Sequence, residues 1–221
     1  MMLSIRQHIE IAGQDVLLQQ LKIISPVDYS EFIEALYSDL DVLTGFLESD
    51  PKDTMFSSED FLNREIVRLL KARNYHASHD TDSGGHVDIH VRSGNHKFSW
   101  LGEAKIYRGP SYLQGGLSQL IDRYAQATPN HNCGGIVVYF QEDNASDKFA
   151  SWRKHLESNE LKLVDLAVSD CNAKPGLAFY SEFVHPRIGS VGPRYKIRHL
   201  GLSLFRQASA QPPGSPPTSS T

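Results

Sequence analysis

Two carboxylates and one amine at a close spacing are the residues of this sequence best suited to chemistry. Asp88 lies in a stretch that alternates polar and apolar residues, and Glu103-Ala104-Lys105 follows further along the chain. Residues two apart on a strand share a face, so Glu103 and Lys105 point the same way. The turn-forming residues 92–95 predict a hairpin that folds Asp88 back onto that face. The three side chains are therefore expected to converge at the strand ends.

Such a cluster favours a Mg²⁺ site, with Mn²⁺ as the expected substitute. Mg²⁺ takes hard oxygen ligands, keeps several waters and binds through one or two carboxylates plus a substrate phosphate. The ion would lower the pKa of a bound water and neutralise charge at phosphorus. Lys105 would orient that water or stabilise the developing oxyanion. The alternative is that Asp88 and Glu103 are polar residues of a solvent-facing strand, with Lys105 pairing across.

The hydrophobic pattern predicts the elements that position these residues. Apolar residues at three- and four-residue steps indicate helices, and alternation indicates half-buried strands. Ser25-Pro26 is expected to begin one helix, and Ser57 or Ser58 to cap the next. In chain order we predict helices at 3–23, 26–48 and from 58 onward, strands at 86–91 and 97–106, a helix at 112–127, a strand at 135–140, a helix at 146–158, and strands at 161–166 and 177–184.

This order predicts an α/β protein, in which helices flank a mixed β-sheet and an N-terminal helical segment precedes it. Four regions follow from composition. They are an acidic helical segment for assembly or regulation (1–52), a core (53–185), a basic C-terminal segment (186–207) and a Pro/Ser-rich tail expected to be disordered (208–221).

Asp88 with Glu103-Ala104-Lys105 resembles the motif of the PD-(D/E)XK nuclease superfamily, whose members have the restriction-endonuclease-like fold. The stretch 81–88 is similar to the glycine-rich approach to the aspartate in Mrr-type restriction enzymes. The resemblance covers about 57–167, roughly half of the chain. His86 or Val87 replaces the proline of the family name, which is often missing in the superfamily.

The resemblance implies a role for each matching residue. Asp88 and Glu103 would be metal ligands, and both would be catalytic. The backbone carbonyl of Ala104 would also face the metal. Lys105 would be catalytic.

Three further residues resemble supporting positions of the superfamily. Glu65 matches the extra helical acid that many members use in the site, so it is a candidate catalytic residue and metal ligand. Gln119 would support the site or contact the phosphate backbone, and Tyr124 would pack beside it. Alternatively, Glu65 is an exposed helix acid next to Arg64 and Arg68, and Gln119 and Tyr124 are ordinary residues of a helix surface.

Five histidines surround the predicted hairpin, at positions 76, 79, 86, 90 and 96. They form no HExxH pattern and have no cysteines at zinc-ligand spacing, which argues against a zinc site. His86 and His90 flank Asp88 at a period of two, so either could contact substrate or a metal-bound water. The alternative is that both are surface or hydrogen-bonded strand residues.

Charge is distributed unevenly along the 221 residues. Residues 1–60 carry twelve acidic and three basic residues, a net −9, which leaves +5 for the rest of a chain of net charge −4. No acid follows Glu182. This asymmetry suggests that the basic half meets something anionic, unless it is ordinary fluctuation. The segment 194–199 interleaves aromatic and basic residues, as a segment that tracks a phosphate backbone does, or is a solvated edge strand.

Taken together, these features predict a Mg²⁺-dependent endonuclease that hydrolyses DNA phosphodiester bonds, in restriction or anti-phage defence. Its activity would be controlled by homodimer or higher-oligomer formation, or by a regulatory protein bound to the N-terminal helices. A nuclease-fold module that binds nucleic acid or protein without cutting, and an enzyme that cleaves RNA, remain alternatives.

The chain is expected to work in the cytoplasm, away from membranes. No stretch approaches the roughly 18 consecutive apolar residues of a membrane helix, and no secretion signal is visible at the N-terminus. The two cysteines, Cys133 and Cys171, are too few to staple a fold of this size, which favours a reducing compartment.

Overall fold

A seven-stranded mixed β-sheet runs through the protein, with helices packed on both faces. The computed structural model describes residues 4–79, 87–124, 128–187 and 192–206, with the backbone alone for residues 52, 53, 123 and 124. The predicted α/β class with a mixed sheet is confirmed. The predicted disordered tail, 208–221, lies outside the described residues.

The helices and strands have the following bounds. The helices are α1 (Ile5–Ile11), α2 (Asp15–Ile24), α3 (Tyr29–Ser49), α4 (Pro51–Thr54), α5 (Glu59–Ala72), α6 (Pro110–Gln119) and α7 (Ala145–Glu157), and a π-helical turn at Leu120–Tyr124 continues α6. The strands are β1 (His76–Ser78), β2 (Ile89–Arg92), β3 (Ser99–Ile106), β4 (Cys133–Phe140), β5 (Val164–Asp170), β6 (Ala178–Val184) and β7 (Tyr195–Ser203).

The strand order is β1-β2-β3-β4-β7-β6-β5. The central strands β3, β4 and β7 are parallel to one another, and the pairs at both sides are antiparallel. The predicted hairpin is the β2–β3 pair, in which Ile89 lies opposite Gly102.

Helix α3 begins three residues later than the sequence suggested. Its N-cap is Asp28, whose side chain accepts a hydrogen bond from the backbone N–H of Glu31 at 2.9 Å. Asp is as good a cap as Ser, so the Ser25-Pro26 pair misled the prediction. The single helix predicted at 3–23 is two helices, because Gly13 has φ +64° and ends α1 there.

The C-terminal basic segment is not an edge strand or a free arm. Strand β7 lies between β4 and β6, in the middle of the sheet. Tyr195 and Arg198 are buried, at 1% and 2% exposure, so they are not available to follow a phosphate backbone. The sheet therefore includes residues from both the predicted core and the segment at 186–207.

Two hydrophobic cores lie on opposite faces of the sheet. Val137 and Tyr139 of β4 pack with α3 and α5. Ile136 and Val138, which alternate with them, pack with α6 and α7. A strand buried on both faces has a continuous apolar sequence, as β4 does.

Acidic side chains of helix α3 form ion pairs with basic residues from later parts of the chain. On α3, Asp39 binds Arg73, Asp41 binds Arg198 at 2.6 Å, and Glu48 binds Lys174 at 2.7 Å. Asp39 also accepts from the hydroxyl of buried Tyr75 at 2.9 Å. The anionic partner of several basic residues is thus helix α3 itself.

Within the described residues, no helix combines the length and apolar character that crossing a bilayer requires.

The side chain of Trp100 lies over two glycines that face each other, Gly102 of β3 and Gly135 of β4. A Cβ atom at position 135 would overlap the indole ring. We expect Gly135→Ala to lower the free energy of unfolding by about 1–3 kcal/mol, as overpacking does. Urea unfolding followed by circular dichroism measures this change.

Gly45→Ala is the matched control. Gly45 lies within α3, where an added Cβ meets no atom within 4 Å. This substitution should raise stability by roughly 0.5–1 kcal/mol, because alanine loses less backbone entropy than glycine in a helix. Equal effects of the two substitutions would contradict the packing described for Trp100.

Candidate active site

Strand β3 presents the two residues of the Glu-x-Lys motif on one face. Lys105 Nζ lies 2.8 Å from Glu103 Oε1, and the two side chains are only 14% and 3% exposed. Ala104 between them is buried in the opposite core. The strand alternation predicted from sequence therefore produces a contact ion pair.

Asp88 joins this pair from the start of the hairpin. It lies one residue before β2, and its Oδ2 accepts a hydrogen bond from the backbone N–H of Ala104 at 2.9 Å. The same oxygen lies 3.5 Å from Lys105 Nζ. The structure thus brings together Asp88, Glu103 and Lys105.

The backbone of Ala104 faces the same edge of β3. In a β-strand the N–H and C=O of one residue point to the same side, since paired residues exchange both bonds. The N–H of Ala104 points to Asp88, so its carbonyl is directed toward that side as well. This orientation suits the carbonyl ligand that the resemblance implies.

A third carboxylate completes the cluster, and it comes from Glu59, not Glu65. Glu59 is the first residue of α5, directly after its N-cap Ser58. Its Oε2 accepts from the backbone N–H of Ile106 at 2.9 Å, and its Oε1 lies 3.4 Å from Lys105 Nζ. Helix α5 is held on the sheet by Asn63, whose Oδ1 accepts from the Tyr139 hydroxyl at 2.8 Å.

Glu65 lies elsewhere on the helix. It pairs with Arg68 at 2.7 Å on the surface of α5 and makes no contact with the cluster. Six residues of an α-helix turn through about 600°, so Glu59 and Glu65 face directions roughly 120° apart. The contacts of Glu65 therefore agree with the alternative given above, a helix acid beside an arginine. Glu59 had no distinctive signal in the sequence, because acids are common in the first turn of a helix, where they interact favourably with the helix dipole.

Helix α6 closes over the cluster at Gly116. A Cβ there would lie 3.3 Å from the Cγ atoms of both Glu103 and Lys105, so the helix packs directly on their aliphatic parts. Gln119 lies one turn further along α6, and within the described residues it makes no hydrogen bond to Asp88, Glu103 or Lys105. Tyr124 ends the π-helical turn, and its side chain lies outside the described part.

His79 fixes the backbone of Asp88. Its Nδ1 lies 2.6 Å from the Asp88 carbonyl oxygen, and its Nε2 lies 2.8 Å from Asp60 Oδ1 at the start of α5. Burial alone would lower the pKa of His79, but these two contacts outweigh burial and raise it. The imidazole thus ties the first turn of α5 to the loop that carries Asp88.

Of the two histidines that flank Asp88 in the sequence, His90 takes no part in the carboxylate cluster. His90 Nε2 lies 2.9 Å from Ser99 Oγ and 3.3 Å from Arg92 Nε. Burial, followed by the charges of Arg92 and His131, lowers the pKa of His90 to about 4, so its imidazole is neutral near pH 7. His86 lies outside the described residues.

The cluster has more negative than positive charge. Burial, and next the charge of Asp88, raises the pKa of Glu103 to about 7, although Lys105 opposes this shift. Burial would lower the pKa of Lys105, but its hydrogen bond to Glu103 and the surrounding carboxylates raise it. Lys105 therefore stays protonated, and one ammonium faces three carboxyl groups.

This excess of carboxylate oxygen fits a divalent cation. Asp88 and Glu103, with the Ala104 carbonyl, offer the oxygen donors that Mg²⁺ prefers. Within the described residues, no three His, Cys, Asp or Glu side chains are arranged as ligands of one ion. Mg²⁺ commonly uses only one or two carboxylates, so the donors present fit it. Lys105 lies within 3.5 Å of both Asp88 and Glu103 and offsets part of their negative charge.

Comparison of the chain with family models, with curated proteins and with solved structures found no match.

Glu103→Gln tests the electrostatics in protein treated with EDTA. The folded chain keeps the Glu103 proton up to a pKa of about 7, whereas the unfolded chain releases it near 4.5. The contribution of Glu103 to stability should therefore fall as pH rises through this window, and glutamine should remove this contribution. The advantage of the variant should grow by on the order of 3 kcal/mol, measured by urea unfolding at several pH values.

Glu65→Gln serves as the control, because this half-buried acid is paired with Arg68 away from the cluster. This variant should keep the pH dependence that Glu103 contributes, because Glu103 and its partners are unchanged. Parallel pH profiles for wild type and Glu103→Gln would contradict the environment described for Glu103.

Proposed function

We propose that this chain is a Mg²⁺-dependent endonuclease that hydrolyses DNA phosphodiester bonds. The observation that carries the proposal is the convergence of Asp88, Glu103 and Lys105 at one edge of the sheet, with Glu59 beside them. We also propose that residues 53–185 and the central strand β7 form a restriction-endonuclease-like core. The helix, hairpin, helix and parallel strand around the cluster support this assignment.

Each residue of the cluster has a role in the proposed reaction. Asp88, Glu103 and the Ala104 carbonyl would hold the cation, which when bound supplies Lewis-acid chemistry at the scissile phosphate. Lys105 keeps its proton and is placed to donate hydrogen bonds to a phosphate oxygen, where negative charge develops in the transition state. Glu59 holds the Lys105 ammonium and the end of β3 in position.

Three carboxylates, those of Glu59, Asp88 and Glu103, fix the position of the Lys105 ammonium. An ammonium held by Glu103 alone would move with that side chain when a cation binds. Contacts to Asp88 and Glu59 keep Lys105 at the edge of the site. The pKa of Glu103, about 7, also means that cation binding must displace a proton from this carboxyl group below neutral pH.

We propose that the enzyme acts in restriction or anti-phage defence, in the cytoplasm, and that a partner or self-association controls it. An unregulated nuclease would endanger its own cell. Helix α1 buries none of its residues, and Ile5, Ile11 and Val16 are each at least 75% exposed. Such an apolar surface supports docking of a regulatory protein or of further copies of the chain. The free thiols of Cys133 and Cys171 support a reducing compartment.

The test is cleavage of supercoiled plasmid, linear DNA and single-stranded RNA with Mg²⁺, Mn²⁺ or EDTA. Wild-type protein should nick DNA only with a divalent cation. Lys105→Ala and Asp88→Asn should reduce the rate by about 100-fold or more, because each removes a group that stabilises the transition state. Glu59→Gln should also lower the rate, since it loosens Lys105.

Glu65→Gln is the matched control and should cut like wild type. Cleavage of RNA alone would replace DNA as the substrate. Absence of cleavage, together with absence of Mg²⁺ binding by calorimetry, would contradict the proposal and favour a nuclease-fold binding module. Mg²⁺ binding that depends on Asp88 and Glu103, without cleavage, would indicate an enzyme that awaits its partner.

A further inference from the structure

A groove of about 870 Å³ lies along the outer edge strand of the sheet, on the hairpin side of the proposed active site. We call it the β1 groove. The residues that matter for its chemistry are Lys71, His76, His90, Arg92 and His96.

The lining of the β1 groove is basic. Lys71 and Arg92 are exposed cations, and none of the described lining residues is acidic. Within the described residues, neither cation has a carboxylate partner, and Arg92 contacts an imidazole, that of His90, at 3.3 Å. Arg73, by contrast, binds Asp39 nearby. A chain of net negative charge thus keeps an uncompensated basic surface here.

The β1 groove runs around the edge strand β1, and one of its walls shares a face of the sheet with the carboxylate cluster. That wall holds His76, His90 and Arg92, whereas Lys71 comes from α5, which packs on the other face. His90 lies opposite Leu101 in the hairpin register, and cross-strand partners point the same way. Leu101, Glu103 and Lys105 alternate along β3, so all three share that face. Strand β2 covers the distance from Asp88 to Arg92, about 13 Å at 3.3 Å per residue. This distance corresponds to about four nucleotides at 3.4 Å of axial rise.

Aromatic rings line the same surface. The imidazoles of His76 and His96 stack with their centroids 4.1 Å apart, and both residues are exposed. His131, which precedes β4, lies close enough to Arg92 for the guanidinium charge to lower its pKa, although burial is the larger cause. Cations beside ring faces are the combination that contacts phosphates and bases of nucleic acids.

We propose that the β1 groove binds the backbone of the DNA that enters the Asp88–Glu103–Lys105 site. The charge of the groove, its length along β2 and the wall of β2 that leads back to Asp88 favour a polyanion that extends into the site. This inference rests on the proposed nuclease function, because that function supplies the reason for DNA to reach the cluster.

Binding can be measured separately from cleavage. A fluorescein-labelled duplex of 30 base pairs is titrated with full-length protein in EDTA, by anisotropy, at several salt concentrations. The double variant Lys71→Gln/Arg92→Gln should bind about tenfold more weakly or worse, since two charge-assisted contacts are lost. The logarithm of the association constant falls linearly with the logarithm of the salt concentration, with a slope of about 0.9 for each phosphate contact. Loss of two contacts should therefore reduce the magnitude of this slope by about 1.8.

Two further variants guard against indirect effects. Lys154→Gln removes an exposed cation from α7, outside the groove, and should leave affinity and slope unchanged. Arg92→Lys keeps the charge and should retain the wild-type slope. Unchanged thermal unfolding of the double variant confirms that it is folded.

The outcomes separate this inference from the proposed function. Wild-type affinity and slope in the double variant would overturn the inference, even if the wild type cuts DNA. Failure of the wild type to bind the duplex would also overturn it. Groove-dependent binding by a protein that neither cleaves DNA nor binds Mg²⁺ would support the inference and contradict the nuclease proposal. Loss of duplex binding on addition of an equimolar mononucleotide would show that the groove holds a small ligand, and would overturn the inference.

Discussion

The Lys105 ammonium is the group on which the proposed active site depends. Three carboxylates lie within 3.5 Å of its nitrogen, and without that charge they would repel one another at close range. Like charges 4 Å apart cost about 4 kcal/mol at the effective dielectric constant of a protein surface. Three different elements supply the carboxylates: the start of α5, the loop before β2, and β3. One side chain therefore sets the relative position of a helix and both strands of the hairpin.

The sequence predicted the strand parts of this arrangement better than the helix part. Alternation places Glu103 and Lys105 on one face by backbone geometry alone, and a short turn brings Asp88 to them. Glu59 required knowledge of how α5 packs, because which helical acid reaches the end of β3 depends on the distance between helix and sheet. The π-helical turn after Gln119 had no sequence signal. The Pro26 signal was misleading because Asp28, two residues later, is an equally good cap.

The uneven charge of the chain has a mainly internal explanation. Its acidic helix α3 binds Arg73, Lys174 and Arg198, and the last of these belongs to a segment that sequence alone suggested for contact with phosphate. Tertiary pairing of this kind is invisible to a charge count, since it depends on which strand lies in the middle of the sheet. Lys71 and Arg92, which have no carboxylate partner within the described residues, line the β1 groove at the β1 edge of the sheet.

The position of β7 has a consequence for how the chain folds. Strand β4 pairs on one side with β3 and on the other with β7, more than fifty residues later. Until β7 arrives, β4 is an unpaired apolar edge, the kind of edge that recruits other chains. The hairpin that carries Asp88 can form early from local contacts. Closing the sheet requires β4 to pair with a strand that follows α7, β5 and β6 in the chain, and such non-local pairing is slow. We therefore expect aggregation during refolding to begin at β4, and conditions that speed docking of β7 to suppress it.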